Sequence, residues 1–165
     1  MRTENEYLLE YAKSHQNPLN QIIHMICVPT IFAATLAIMW VVPVGRFIPG
    51  VPADLAPWIN LGTLFMIPAG VFYLMLSPRA LLIGSIWTAL SVLLILGVQA
   101  SGLSLLWTAI TVWIIAWVAQ FYGHHVEGAK PSFADDLLFL LIGPLYVQEK
   151  LNRLVRTGSI RPRLQ

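Results

Sequence analysis

Four histidines are the residues of this chain best suited to chemistry, and they fall into two groups. His15 and His24 flank the dipeptide Asn17-Pro18 in "KSHQNPLNQIIHMICVPTI", residues 13–31, where the chain turns strongly apolar. His124 and His125 lie in "QFYGHHVEGAKP", residues 120–131, directly behind another apolar run. Neutral imidazole is the commonest protein metal ligand and a proton carrier near pH 7. Three or four imidazoles with the nearby carboxylate of Glu127 suit Fe(II), Mn(II) or Zn(II). An ionisable side chain at lipid depth is costly and marks function by default. The bland alternative for any one histidine is an interfacial hydrogen-bonding residue.

Spacing limits how these groups can meet. Nine residues on one straight helix would point His15 and His24 to opposite faces. Asn17 at an N-cap and Pro18 at the first helical position predict a helix start between them, and the break lets His15 fold back towards His24. Asn20 and Gln21, four and three residues before His24, share its face. Gln120 stands one turn before His124, and Glu127 three residues after it. Adjacent His124 and His125 diverge by about 100° if helical, so one straight helix does not readily aim both at one metal. Gly123 and Gly128 bracket the pair and allow a sharp exit from the apolar run. Glu127 also lies three residues from Lys130, where a surface ion pair competes with ligation. Cys27, three residues after His24, reads as an inert buried thiol.

The elements that must position these groups are membrane helices. The chain has 165 residues, 57% hydrophobic and 11% charged, with a mean hydropathy of +0.70. Soluble domains carry about 25% charged residues, so an integral membrane protein is expected. A net charge of +2 makes no case for nucleic acid, and a single cysteine excludes an intramolecular disulfide framework. The polar, acidic N-terminus lacks the pattern of a cleavable signal peptide. A bilayer core of about 30 Å needs roughly 20 apolar helical residues. Four runs approach that length without an acidic or basic residue: 22–42, 58–76, 80–98 and 103–122.

With four spans, the N-terminus, the "SPR" turn at 77–79, the 123–136 loop and the C-terminus share one side. That side holds Arg2, Lys13, Arg79, Lys130, Lys150, Arg153, Arg156, Arg161 and Arg163, against Arg46 alone on the other. Nine against one fixes both termini as cytoplasmic by the positive-inside rule, and it gathers all four histidines on that face. A fifth apolar run, Leu137 to Val147, is too short to span and is interrupted by Gly143 and Pro144, so an interfacial or re-entrant helix is expected over 133–147. Ser132 and Asp135 fit its capping box, and Asp136 is left to orient a ligand histidine. Thr3 and Glu6 fit a second capping box, after which Tyr7, Tyr11 and His15 form a stripe. The tail, 148–165, reads as a basic amphipathic helix on an anionic leaflet. The expected fold is thus one all-α membrane domain over residues 1–165, with four spans, one short membrane-associated helix and amphipathic terminal helices.

The paired signature H-x-N-P-x-N-x-x-x-H and Q-F-x-G-H followed by E…P resembles the Mpo1-like family, and the two motifs lie near opposite ends of the chain. The resemblance implies an Fe(II)-dependent dioxygenase that shortens long-chain 2-hydroxy fatty acids by one carbon with loss of carbon dioxide. It places the iron on His15, His24 and His124, with His125 at a variable position. Asn17, Asn20, Gln120, Glu127 and Pro131 match other motif positions. Together with the residue reading this makes Glu127 a candidate catalytic group alongside His24 and His124. Asn20, Gln120, Lys130 and Arg79 are candidates for substrate binding, and Asn17 and Asp136 for support of the ligands. The expected partners are the 2-hydroxy acid, dioxygen and the bilayer, which is the bacterial inner membrane or, in a eukaryote, the endoplasmic reticulum. Two rivals stand beside this reading: a non-catalytic membrane scaffold or lipid-binding protein, and another metal-dependent lipid enzyme such as a hydroxylase or zinc hydrolase.

Overall fold

Residues 2–131 and 138–158 are described by a computed structural model. Ser132, Asp135 and Asp136, with the tail from residue 159, lie outside the described residues. Within them the chain is all-helical: α1 (Glu4–Lys13), α2 (Pro18–Trp40), α3 (Leu61–Leu76), α4 (Pro78–Ala100), α5 (Leu105–Glu127) and α6 (Phe139–Thr157).

Helix boundaries follow local capping chemistry. The expected box opens α1: Thr3 Oγ1 accepts from the Glu6 N–H at 3.3 Å, and Glu6 Oε2 accepts from the Thr3 N–H at 2.7 Å. At α2, Asn17 Oδ1 accepts from the Leu19 N–H at 2.9 Å and Pro18 takes the first helical position. Asn60 caps α3 through the Thr63 N–H at 3.0 Å. That cap shortens the expected 58–76 span, because Trp58 falls in a 3-10 turn and α3 keeps only 16 residues. At 1.5 Å per residue α3 is about 24 Å long, short of a bilayer core. Three helices, α2, α4 and α5, are long and apolar enough to cross a membrane.

Packing sorts the chain into two compact units, Met1–Pro29 with Ala116–Gln165, and Thr30–Ile115. In the second, α3 and α4 form a hairpin across Ser77-Pro78. Gly84 is required there, since a Cβ would collide with the Tyr73 ring. Leu36, Ala37, Trp40, Ile95 and Ala109 form its buried cluster.

In the first unit, the Tyr7–Tyr11 stripe is buried on α6. Tyr7 meets Phe139 edge-on at 5.6 Å, and Tyr11 meets Tyr146 at 4.8 Å between centroids. Here the structure departs from two expectations. Within the described residues the short segment and the start of the basic tail join in one helix, because α6 runs unbroken through Gly143 and Pro144. Pro144 cannot donate to the Leu140 carbonyl, yet burial of Phe139, Ile142, Leu145 and Val147 on both sides of it holds the helix together. Gly143 is the contact point, where a Cβ would press on Val28 of α2. Likewise α5 is not interrupted at Gly123. It continues through both histidines to Glu127 and ends at Gly128, whose φ of +72° suits glycine.

Candidate metal centre

His15, His24 and His124 converge in the first unit, with one ring nitrogen from each lying within 4.8 Å of the others. Their rings are 4.2 Å (15–24), 4.7 Å (24–124) and 5.1 Å (15–124) apart between centroids. All three are buried, at 1%, 0% and 5% exposure. Burial of three imidazoles without a carboxylate among them is costly unless their lone pairs find a partner.

The tautomers follow from the outer hydrogen bonds. His15 Nδ1 lies 2.6 Å from the Tyr11 carbonyl and His24 Nδ1 lies 2.9 Å from the Asn20 carbonyl. A carbonyl only accepts, so each Nδ1 carries the proton and each Nε2 carries a lone pair. Nε2 of His15 is buried without a hydrogen-bond partner, and Nε2 of His24 faces Nε2 of His124 at 3.1 Å. Donation from the far ring nitrogen to a backbone carbonyl is the arrangement that orients metal-ligating histidines. Burial also lowers the His15 pKa to about 3, against a partial gain from its bond to Tyr11, with His124 and Lys150 lowering it further. The ring is thus neutral, as ligation requires. On donor set, burial and tautomer, the three histidines fit a divalent transition metal.

The bend that carries His15 is held by polar side chains from neighbouring helices. Asn20 Nδ2 donates to the Ser14 carbonyl at 3.1 Å, and Gln21 Nε2 donates to the His15 carbonyl at 2.8 Å and the Gln16 carbonyl at 3.2 Å. Lys150 on α6 donates to Gln21 Oε1 at 3.1 Å and lies 5.2 Å from the Tyr146 ring centroid. The Tyr11 ring stacks on His15 at 4.2 Å, with an interplanar angle of 4°. Glu127 closes the bend from α5: Oε1 accepts from the Gln16 N–H at 2.7 Å, and Oε2 from the Asn17 N–H at 2.8 Å and Asn20 Nδ2 at 3.0 Å.

The sequence candidates therefore separate. His15, His24 and His124 come together, while His125 sits 100° around α5 and is exposed. Both Glu127 oxygens accept hydrogen bonds from the bend, and Glu127 is not among the three residues that cluster. Asn17 caps α2, and Asn20 joins its start to Glu127. Gln120 is 5% exposed, with its Oε1 unpartnered. Lys130 is exposed beyond α5, and Arg79 is exposed at the start of α4 in the other unit. Asp136 lies outside the described residues. Three contributors escaped sequence reasoning: Gln21 as a carbonyl clamp, Lys150 as its partner, and Tyr11 as a stacking plate. Only Tyr11 left a signal, its four-residue spacing from His15.

No curated protein and no solved structure matches this chain. A family model described as 2-hydroxy-palmitic acid dioxygenase Mpo1-like matches residues 1–154, and since these span nearly the whole sequence and include all three clustered histidines, the chain belongs to the Mpo1-like family.

Proposed function

We propose that this protein is an Fe(II)-dependent dioxygenase of long-chain 2-hydroxy fatty acids, with His15, His24 and His124 as the metal ligands. The observation that carries the reading is the convergence of three buried imidazoles, two of them fixed by backbone carbonyls with Nε2 free of its proton. Three neutral histidines add no charge, so a bound divalent cation keeps its full attraction for a carboxylate and retains open coordination positions. Bound there, iron supplies the one-electron chemistry that allows dioxygen to react with a closed-shell acid, and an electrostatic anchor for the carboxylate.

The protein's own groups then hold the substrate. Gln120, one turn before His124 on the same face of α5, offers its unpartnered Oε1 to the 2-hydroxyl proton. Exposed apolar side chains on the helices that carry His24 and His124, Ile22 and Ile26 on α2 with Val118 and Phe121 on α5, are suited to an acyl chain in lipid. Burial of the three histidines keeps bulk water from the centre. A 2-hydroxy acid plus one O2 balances to an acid one carbon shorter, one CO2 and one water. Dioxygen alone accepts the four electrons, and no external reductant is required.

The nine-to-one distribution of basic residues supports both termini on the cytoplasmic side of a bacterial inner membrane or endoplasmic reticulum. In that topology α3 is the fourth span, its shortness accommodated by local thinning of the bilayer. The decisive experiment is oxygen uptake by purified protein supplied with Fe(II) and a long-chain 2-hydroxy acid. We expect one O2 consumed per CO2 released, and none with His24→Ala or His124→Ala. Uptake that survives both substitutions overturns the assignment.

A further inference from the structure

We propose that Glu127 is the positioning residue of the metal centre, clamping the His15-bearing bend to the helix that carries His124. The proposal rests on the reading of the three histidines as metal ligands. His15 differs from the other two in standing outside regular structure, between the end of α1 and the start of α2. His24 and His124 are each fixed to a helix, whereas His15 is only as well placed as residues 14–17. The N–H groups of Gln16 and Asn17, at the open end of α2, have no intrahelical acceptor. Both donate to the Glu127 carboxylate, at 2.7 and 2.8 Å, and Asn20 Nδ2 donates to it at 3.0 Å.

The chemistry of the clamp requires a carboxylate. Three donors converge on one side chain, and only an ionised carboxyl offers acceptor capacity on both oxygens. Its negative charge also faces the positive end of α2. Glu127 lies three residues from His124 on α5, so a single side chain ties two of the three ligand positions together. The lack of a side chain at Gly123 complements this. A Cβ there would collide with Asn20 Oδ1, so glycine lets Asn20 reach both Glu127 and the Ser14 carbonyl.

The test is a titration of metal-free protein in detergent with Co(II), which reports coordination through its visible absorption. Wild type is expected to bind one Co(II). Glu127→Gln retains the shape but places an amide donor against backbone donors, and its affinity should fall about 10- to 100-fold with a changed Co(II) spectrum. Asn20→Ala removes one bond of the clamp without removing charge. It is the milder variant should Glu127→Gln fold poorly, and it should weaken binding by a smaller factor. Because both act through the same bend, the double variant should lose less than the product of the two single effects. Wild-type affinity and spectrum in Glu127→Gln overturn the positioning role alone. Fully multiplicative losses point to direct ligation by Glu127 and overturn it as well. Failure of wild type to bind Co(II) removes the metal centre itself.

Discussion

The Nε2 atoms of His24 and His124 face each other at 3.1 Å, although the residues are 100 positions apart. With His24 Nδ1–H committed to the Asn20 carbonyl, the His24 Nε2 lone pair can accept only if His124 Nε2 carries hydrogen. A hydrogen bond between two imidazoles holds the pair together in the metal-free protein. A cation binding both nitrogens must displace that hydrogen, so metal uptake shifts the His124 proton to Nδ1, which is buried without a hydrogen-bond partner.

This relationship predicts a metal stoichiometry of one per chain that depends on named residues. His15→Ala, His24→Ala and His124→Ala should each abolish Fe(II) or Co(II) retention through desalting. His125→Ala should retain metal as wild type does, because the exposed ring points away from the cluster. Elemental analysis of the purified variants checks this, and metal loss in His125→Ala to the level of His24→Ala would sink the three-histidine centre.

Acid should destabilise the metal-free protein. Folding lowers the His15 pKa from 6.5 to about 3, so between these values the unfolded chain binds a proton that the folded chain does not. Stability is therefore fully present above about pH 6.5 and is lost as pH falls towards 3. The slope from this group approaches 1.4 kcal/mol per pH unit, or about 2 kcal/mol between pH 6.5 and 5. Apparent melting temperature of chelator-treated protein at pH 7 and pH 5 measures the effect. His15→Gln should flatten the dependence, and an equally steep loss in that variant assigns it elsewhere.

Gly123→Ala tests the close approach of α2 and α5. The added methyl meets Asn20 Oδ1, and Asn20 is fully buried with its Nδ2 held by the Ser14 carbonyl and Glu127, so the side chain cannot swing aside freely. Overpacking of this kind costs about 1–3 kcal/mol. Because Asn20 also contacts Glu127 and the Ser14 carbonyl, metal affinity should fall together with melting temperature. Gly97→Ala on α4, where a Cβ meets nothing within 4 Å, is the control and should leave both unchanged.

The helices and the triad were readable in the sequence for different reasons. Thr3 with Glu6 and Asn17-Pro18 announce helix starts through local chemistry that burial does not override, whereas the Asn60 cap went unread and the 58–76 run was drawn too long. The convergence of His15 and His24 followed from a helix break between them, and that of His124 from the span count that puts all four histidines on one face together with the family motif. Continuity of α6 through Gly143-Pro144 was not readable, because it depends on tyrosines of α1 more than 100 residues away burying its apolar face. Gly123 misled in the same manner. It serves a neighbouring side chain, not a bend, and no local pattern distinguishes these uses. Glu127 read equally well as ligand, base or surface partner of Lys130. The Gln16 and Asn17 amides that donate to it add a fourth role, holding the His15 bend, which no local pattern announces.

Gln120 carries the last prediction, which concerns substrate choice. Its Oε1 is buried without a partner, and an unmatched buried acceptor is unfavourable until something donates to it. The 2-hydroxyl of the acid is such a donor, and an unsubstituted fatty acid has none. Gln120→Leu keeps the volume and removes the acceptor. The loss of one neutral hydrogen bond is about 0.5–1.5 kcal/mol, so kcat/KM for a 2-hydroxy acid should fall about 2- to 12-fold. Metal content should stay at wild-type level, because Gln120 supplies no ligand. Inhibition by the unsubstituted acid should strengthen, since that acid no longer leaves the amide unpaired. Competition assays with the two acids on both proteins read this directly. Unchanged selectivity in Gln120→Leu would remove the residue from substrate recognition while leaving the metal centre intact.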